Sequence, residues 1–412
     1  MSRPPDEPEP GKEPPSDRQD EPAEADTGSP AGPGRQEPPP PPYPQAPPPW
    51  SYQQAPPQAP PGMPPPFPPA PAPRGAPPAE PPAERDRLAV HLIWEGALAV
   101  ITLVLVAGTL AMTPHQNLTV SLTQAGALGL VAVGLAFSLR TGSPNLAVGS
   151  ILTFTSSLGA YLATEQDWGT PAALIVAILL ATFIGFVLGL LVALLSVPAW
   201  AVTLAAATFI QSLALWVTGA RTILMRIGDG YPTALWFTLF TLLSVGGGAL
   251  WLVPAVRRPF SAGRRSGEPG RWAGLQPGLG AVAGLTGSSF LAALAAVPLL
   301  MRLQAADVGI GQNMTVVAFA AVLLGGVSVF GRRAGVFGTF LGVMILAITQ
   351  TLLAYNGVSA WVSSLIVGLL ALAGLGVSRG LESVTDMLNR TRPAAGAPRP
   401  APPAAPAPSA AG

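Results

Sequence analysis

Nine amide and hydroxyl side chains lie inside stretches that are otherwise apolar: Gln124, Asn145, Ser150, Thr203, Thr208, Gln211, Asn313, Thr315 and Gln350. In an apolar setting each must face a hydrogen-bonding partner or a water-filled cavity. Their chemistry is therefore hydrogen bonding, either between helices or to a small polar molecule. Groups for harder chemistry are scarce. The chain has no cysteine, which removes disulfides, thiolate metal sites and thiol catalysis. His91 and His115 are too few and too far apart for a zinc site. A P-loop needs a lysine after its glycine loop to reach the phosphates. Lys12, the one lysine, is followed by Glu13 in a region rich in Pro and acidic residues. ATP hydrolysis by this chain is thus excluded, and no catalytic residue, metal or cofactor is expected.

Carboxylates are present but badly placed for moving protons. Eight follow residue 87: Glu95, Glu165, Asp167, Asp229, Glu268, Asp307, Glu382 and Asp386. They fall at the ends of apolar runs or between them, so no buried proton relay is expected. Glu95 is the nearest exception. With His91 and Trp94 it lies about two turns into the first apolar run, and it reads as an interfacial anchor.

The elements that carry these residues follow from composition. Of the 412 residues 49% are hydrophobic and 10% charged, against roughly 25% charged in an ordinary soluble domain. Prolines mark the partition: 33 of the 50 lie in residues 1–87 and 7 in residues 393–412. Residues 1–87 also hold 13 acidic and 7 basic side chains. Such a segment cannot form a packed core and favours solvated polyproline II. It is expected to be a disordered cytoplasmic tail, since no apolar run follows a basic start as a signal peptide requires. Tyr43, Trp50, Tyr52 and Phe67 are spaced among its prolines as a ligand for an aromatic-lined groove would be; a plain solvated tail is the alternative. Residues 379–412 form a second Pro/Ala-rich disordered tail. With no basic block, nucleic-acid binding has little support.

Between the tails lies an all-α polytopic membrane domain, residues 88–378. A helix needs about 20 apolar residues to cross a bilayer. Ten stretches qualify, near 88–112, 118–139, 145–164, 171–195, 199–219, 233–253, 279–301, 312–330, 335–354 and 358–377. The third, fifth and eighth are rich in Gly, Ser, Thr and Asn, which predicts broken or re-entrant helices. Arginine placement fixes the orientation, because cytoplasmic loops retain positive charge. With both ends inside, the cytoplasmic loops carry Arg140, Arg257, Arg258, Arg264, Arg265, Arg271, Arg332 and Arg333. The external loops carry only Arg221, Arg226 and Arg302.

A repeat lies within the domain. VPAWAVTL at 197–204 resembles VSAWVSSL at 358–365, and PNLAVGS at 144–150 resembles QNMTVVA at 312–318. Both pairs are five spans apart, and an odd offset inverts the second copy. Spans 2–5 against 7–10 then form an inverted pseudo-repeat, the plan of transporters that alternate access around a midplane site. Asn145 and Asn313 begin paired helices, where free backbone N–H groups and the helix dipole point toward the centre. On that basis Asn145→Leu is expected to abolish uptake without abolishing assembly. If transport is active, its motor must be a separate protein, and the basic loop 254–278 is the one long internal element on which such a protein could dock.

Four segments in order resemble the membrane permeases of bacterial ABC importers of the ribose and simple-sugar type, related to the nucleoside and branched-chain amino acid permeases. They are SPNLAVGSI at 143–151, LLSVPAWAVTLAAATFIQSLALWVTGARTI at 194–223, GRRSGEPGRWAGL at 263–275 and AFAAVLLGGVSVFGRRAGVFGTFLG at 318–342. The resemblance covers most of 118–378. It implies a half-transporter without its own ATPase that imports a small polar solute, a sugar above all. It would sit in the bacterial plasma membrane, pair with a second copy or a sister permease, and receive solute from an extracellular binding protein. It would dock an ABC ATP-binding subunit through Arg264, Arg265, Gly267, Glu268, Arg271 and Gly274. The chain departs from the family where Pro144 and Asn145 replace an acidic residue, where Arg332 and Arg333 follow Gly331, and where Pro269 enters the docking loop. Two other readings stay open: a carrier or channel without an ATPase, and a membrane scaffold acting through the Pro-rich tail. Removing residues 1–80 would spare transport under the importer reading and destroy function under the scaffold reading.

Overall fold

The computed structural model describes residues 88–195, 197–228, 230–253, 255–256, 275–328 and 337–390. Eleven helices and two short strands lie in them. The helices are α1 (Leu88–Met112), α2 (Gln116–Arg140), α3 (Val148–Thr164), α4 (Thr170–Leu195), α5 (Ala199–Thr218), α6 (Thr233–Leu252), α7 (Leu275–Leu294), α8 (Ala296–Leu303), α9 (Ile310–Leu324), α10 (Gly338–Tyr355) and α11 (Ala360–Arg390). The strands β1 (Ile223–Leu224) and β2 (Ala305–Ala306) pair antiparallel. They tie the segment after α5 to the segment before α9.

Among the described residues eight helical segments are long and apolar enough to cross a membrane, so the chain is a helical multi-pass membrane protein. The third and eighth stretches fall short as expected, α3 at 17 residues and α9 at 15. The fifth departs from expectation. It is one continuous helix of 20 residues, α5, because its polar groups bond to carbonyls of the preceding turn, as Ser212 and Thr218 do to Thr208 and Ala214. The seventh is instead divided, with Ala295 between α7 and α8. Pro298, in the first turn of α8, has no N–H to continue the ladder. The last helix also differs: it runs through Arg390, so residues 379–390 continue α11 rather than belonging to a disordered tail. Nothing between Gly380 and Pro393 breaks a helix, and the Ser383 hydroxyl donates to the Arg379 carbonyl one turn back.

Helix α2 is the hub. Every residue from Ala125 to Ala136 is buried, as a helix apolar on all sides must be. It packs on α6, α7, α9 and α10. A two-fold correspondence between the halves is visible in the pairings. Exchanging α2, α3, α4 and α5 for α7, α9, α10 and α11 turns α3–α4 into α9–α10, α3–α5 into α9–α11, α2–α10 into α7–α4 and α2–α9 into α7–α3, all of which are observed. In lipid, helices associate by close packing of small residues, since apolar tails give no hydrophobic drive. On α4 these are Ala173, Ala177, Ala181, Gly185 and Gly189, one per turn and all buried. A Cβ on Gly189 would lie 2.6 Å from Val282 Cα of α7. In contrast, α11 exposes Trp361, Leu365, Leu369 and Leu372.

Glu95 is not an interfacial anchor. It is buried, and its Oε1 accepts the N–H groups of Phe337 at 3.1 Å and Gly338 at 3.2 Å, capping α10. The preceding residue, Trp94, donates its indole N–H to the carbonyl of Leu324, the last residue of α9, at 3.0 Å. Adjacent side chains of α1 thus serve the positive end of one helix and the negative end of another. A carboxylate two turns into an apolar run is tolerated because those free N–H groups meet it.

Candidate functional site

Two of the repeat helices meet through their first turns. A Cβ on Gly149 of α3 would lie 1.8 Å from the carbonyl oxygen of Gly311 of α9, and one on Gly311 would lie 2.3 Å from that of Gly149. Only glycine permits this crossing. Thr315 Oγ1 accepts the Gly149 N–H at 3.0 Å and donates to the Gly311 carbonyl at 3.3 Å, so Thr315 pins the contact.

The segment leading into α3 is sealed by side chains. Asn145 is fully buried; its Nδ2 donates to Ser288 Oγ at 2.7 Å and Ser289 Oγ at 3.2 Å, and its Oδ1 accepts the Ala147 N–H at 3.0 Å. Thr203 Oγ1 accepts the Leu146 N–H and lies 3.0 Å from the Pro144 carbonyl and 2.9 Å from that of Ala199. These two residues therefore fasten the link between α2 and α3 to α7 and α5. Ser150 is buried in the first turn of α3.

The first turns of α9 border a cavity of about 220 Å³. Gln124 of α2, Arg302 of α8, Asn313 of α9, Gln350 of α10 and Ser363 of α11 supply its polar lining, with Leu128, Leu299 and Met314 among its apolar walls. Gln124 Nε2 donates to Gln350 Oε1, joining α2 to α10. The Gln124 carbonyl and the Gln350 amino group keep no protein partner among the described residues. The cavity is apolar with a few convergent hydrogen-bonding groups, the usual make-up of a small-molecule site, but it lies below the roughly 300–1,000 Å³ of drug-sized clefts.

Gln304 fixes the segment that follows α8. It adopts φ 53°, a left-handed conformation unusual for a side chain other than glycine. That turn ends α8 and lets Gln304 Oε1 accept the Ile227 N–H at 2.9 Å while Nε2 donates to the Met301 carbonyl at 2.7 Å. Tyr231 donates its hydroxyl to the Thr123 carbonyl at 3.1 Å. Burial pushes its phenol up to about 12, opposed by the nearby positive charge of Arg302.

Of the nine polar residues singled out from the sequence, the structure gathers Gln124, Asn313 and Gln350 around this cavity. Asn145, Thr203 and Thr315 serve helix contacts. Gln211 reaches from α5 to the Val308 carbonyl at 2.6 Å, and its Oε1 is buried without a partner. Thr208 is exposed on α5. Arg302 and Ser363 were missed. Arg302 counted as a loop arginine, yet Leu299, Arg302 and Leu303 share one face of α8 at the i, i+3, i+4 spacing, a signal present in the sequence. The docking residues Arg264, Arg265, Gly267, Glu268, Arg271 and Gly274 lie outside the described residues.

Residues 117–256 match the family described as the permease component of the branched-chain amino acid transport system. Over those residues the chain is similar to this family of permease components. The chain is 26% identical over 277 residues to the autoinducer 2 import system permease protein LsrC of Yersinia pseudotuberculosis, covering 63% of this chain and 76% of that one. It is also 26% identical over 266 residues to the ribose import permease protein RbsC of Haemophilus influenzae, covering 60% and 80%. No solved structure matches the chain.

Proposed function

We propose that this permease is the membrane subunit of a bacterial ABC importer for a small polar solute, of the sugar-like class named for its ribose and autoinducer 2 relatives. The observation that carries the reading is the cavity where Gln124, Asn313 and Gln350 converge at the first turn of a short helix. Carboxamides both donate and accept, which suits hydroxyl groups that do the same. Interrupted helices beside a cavity are where transporters of inverted-repeat plan bind their cargo.

Arginine bias supports a cytoplasmic position for both termini. In that orientation Gln124, Asn313 and Gln350 stand near the outer ends of their helices, which suits delivery by an extracellular solute-binding protein. Energy comes from an ABC ATP-binding subunit docked on the loop 254–278 through Arg264, Arg265 and Glu268. The permease works with a second copy or a sister permease, the exposed apolar faces of α5 and α11 being available to lipid or to that partner.

Purification of the tagged full-length protein from its native membrane in mild detergent tests this directly. A stoichiometric ATP-binding subunit with ATPase activity is expected, lost when Arg264, Arg265 and Glu268 are replaced by Ala. Recovery of the permease alone and without ATPase activity in repeated gentle preparations would overturn the reading.

A further inference from the structure

The polar lining of the cavity is unbalanced in charge. Arg302 is a full cation, and no carboxylate is among the lining residues. Among the described residues Arg302 takes part in no ion pair; the pair resolved on the neighbouring segments is Arg221 with Glu165. The titratable group that acts on Arg302 is the Tyr231 phenol, which is neutral at physiological pH and so leaves the positive charge uncompensated. Asp307, just ahead of α9, is exposed and turned to the Gly309 N–H at 2.8 Å. It is not part of the lining.

A second positive contribution comes from the backbone. Ile310 and Asn313, in the first turn of α9, line the same cavity, so the end of the helix where N–H groups lack intrahelical acceptors faces it. That end carries about half a positive charge. A guanidinium and a helix N-terminus bordering one small cavity are the two features that most favour an anion.

We propose that the solute accepted by this cavity is a small polyhydroxylated carboxylate of the sugar-acid class, its carboxylate held by Arg302 at the first turn of α9 and its hydroxyls by Gln124, Asn313 and Gln350. This rests on the cavity being the solute site. It narrows the solute from a neutral sugar to an acidic one. Arg302 presents a planar fork that matches a carboxylate in two hydrogen bonds, which a hydroxyl cannot reciprocate.

The test compares D-ribonate with D-ribose, the same carbon skeleton with and without the charge, on the full-length protein in lipid nanodiscs by saturation-transfer NMR, which detects weak binding. Ribonate is expected to bind at least about tenfold more tightly than ribose, the worth of one charge-assisted contact. Arg302→Gln is expected to bring ribonate down to the ribose level, with Arg302→Lys intermediate. Arg221→Gln, outside the cavity, is expected to leave both unchanged. Equal binding of the two probes, absence of ribonate binding, or ribonate binding indifferent to Arg302→Gln would overturn the proposal. Ribose binding lost in Gln124→Ala but unaffected by Arg302→Gln would sink the acidic solute while leaving the importer reading intact. Loss of the importer reading shows separately, as the missing ATP-binding subunit.

Discussion

Asn145 and Asn313 stand at the entrances of the two short helices but not at matching places. Asn145 lies three residues ahead of α3, where Asp307 lies ahead of α9 and bonds the N–H two residues on in the same way. Asn313 lies inside α9, and the two asparagines live in opposite surroundings. Asn145 is wholly buried and bonded to Ser288, Ser289 and the Ala147 N–H. Asn313 faces a cavity. The first half-helix entrance is therefore closed by the protein's own side chains and the second is left for a guest. A repeat written twice in a sequence does not produce two equal sites. The polar groups beside Asn145 are consumed by packing, whereas Asn313 borders a cavity.

That contrast is most exposed at the crossing between the halves. Gly149→Ala places a methyl group 1.8 Å from a carbonyl oxygen, and overpacking a fixed backbone contact costs about 3 kcal/mol. The melting temperature of the detergent-purified variant is expected to fall sharply, or the protein to fail to accumulate. Unchanged melting would mean that the halves do not touch there.

The asparagine pair sharpens the contrast further. Asn145→Leu strips two buried hydroxyls and an N–H of their partner, at a cost of about 2–3 kcal/mol in thermal stability. The structure thus places stability ahead of the uptake effect expected from sequence alone. Asn313→Leu is expected to stay within about 0.5 kcal/mol of the parent in stability and to lose solute binding in the nanodisc assay. The reverse outcome, a stable Asn145 variant and an unstable Asn313 variant, would exchange the roles of the two halves.

The smallest effect is at Tyr231, beside the open half. Its phenol ionises near 12 rather than 10, because burial disfavours the charged form more than Arg302 favours it. A group whose folded value is raised contributes stability that is complete below pH 10 and is lost as pH rises toward 12. A late phenolate absorbance step, missing in Tyr231→Phe, is the expected reading. Titration of every tyrosine near 10 would show that the wall beside Arg302 is wet.

Much of the architecture was legible in residue order because lipid leaves a chain few choices. Long apolar runs must become helices, and polar runs of the kind seen at 145–164 and 312–330 cannot span alone, so α3 and α9 came out short. What failed was local. The extent of α11, the continuity of α5 and the division between α7 and α8 depend on single breakers and back-bonded hydroxyls whose effect averages out over a 20-residue window. The site was legible only in part, since residue type identifies a side chain that needs a partner but not the partner. Gln124 and Gln350, 226 positions apart, meet in one hydrogen bond, and Arg302 joins the cavity lining only because α8 brings it beside α9 while leaving it exposed.

Composition and order by themselves determined a helical multi-pass membrane protein and the rough positions of its long apolar helices, because the cost of an unsatisfied polar group in hydrocarbon acts on every residue alike. Only the tertiary structure decided which half is sealed, that Glu95 caps α10, and that a cation stands among the amides. Those outcomes rest on distances of a few ångströms between helices remote in sequence, and hydrogen bonds and charges act only at such distances.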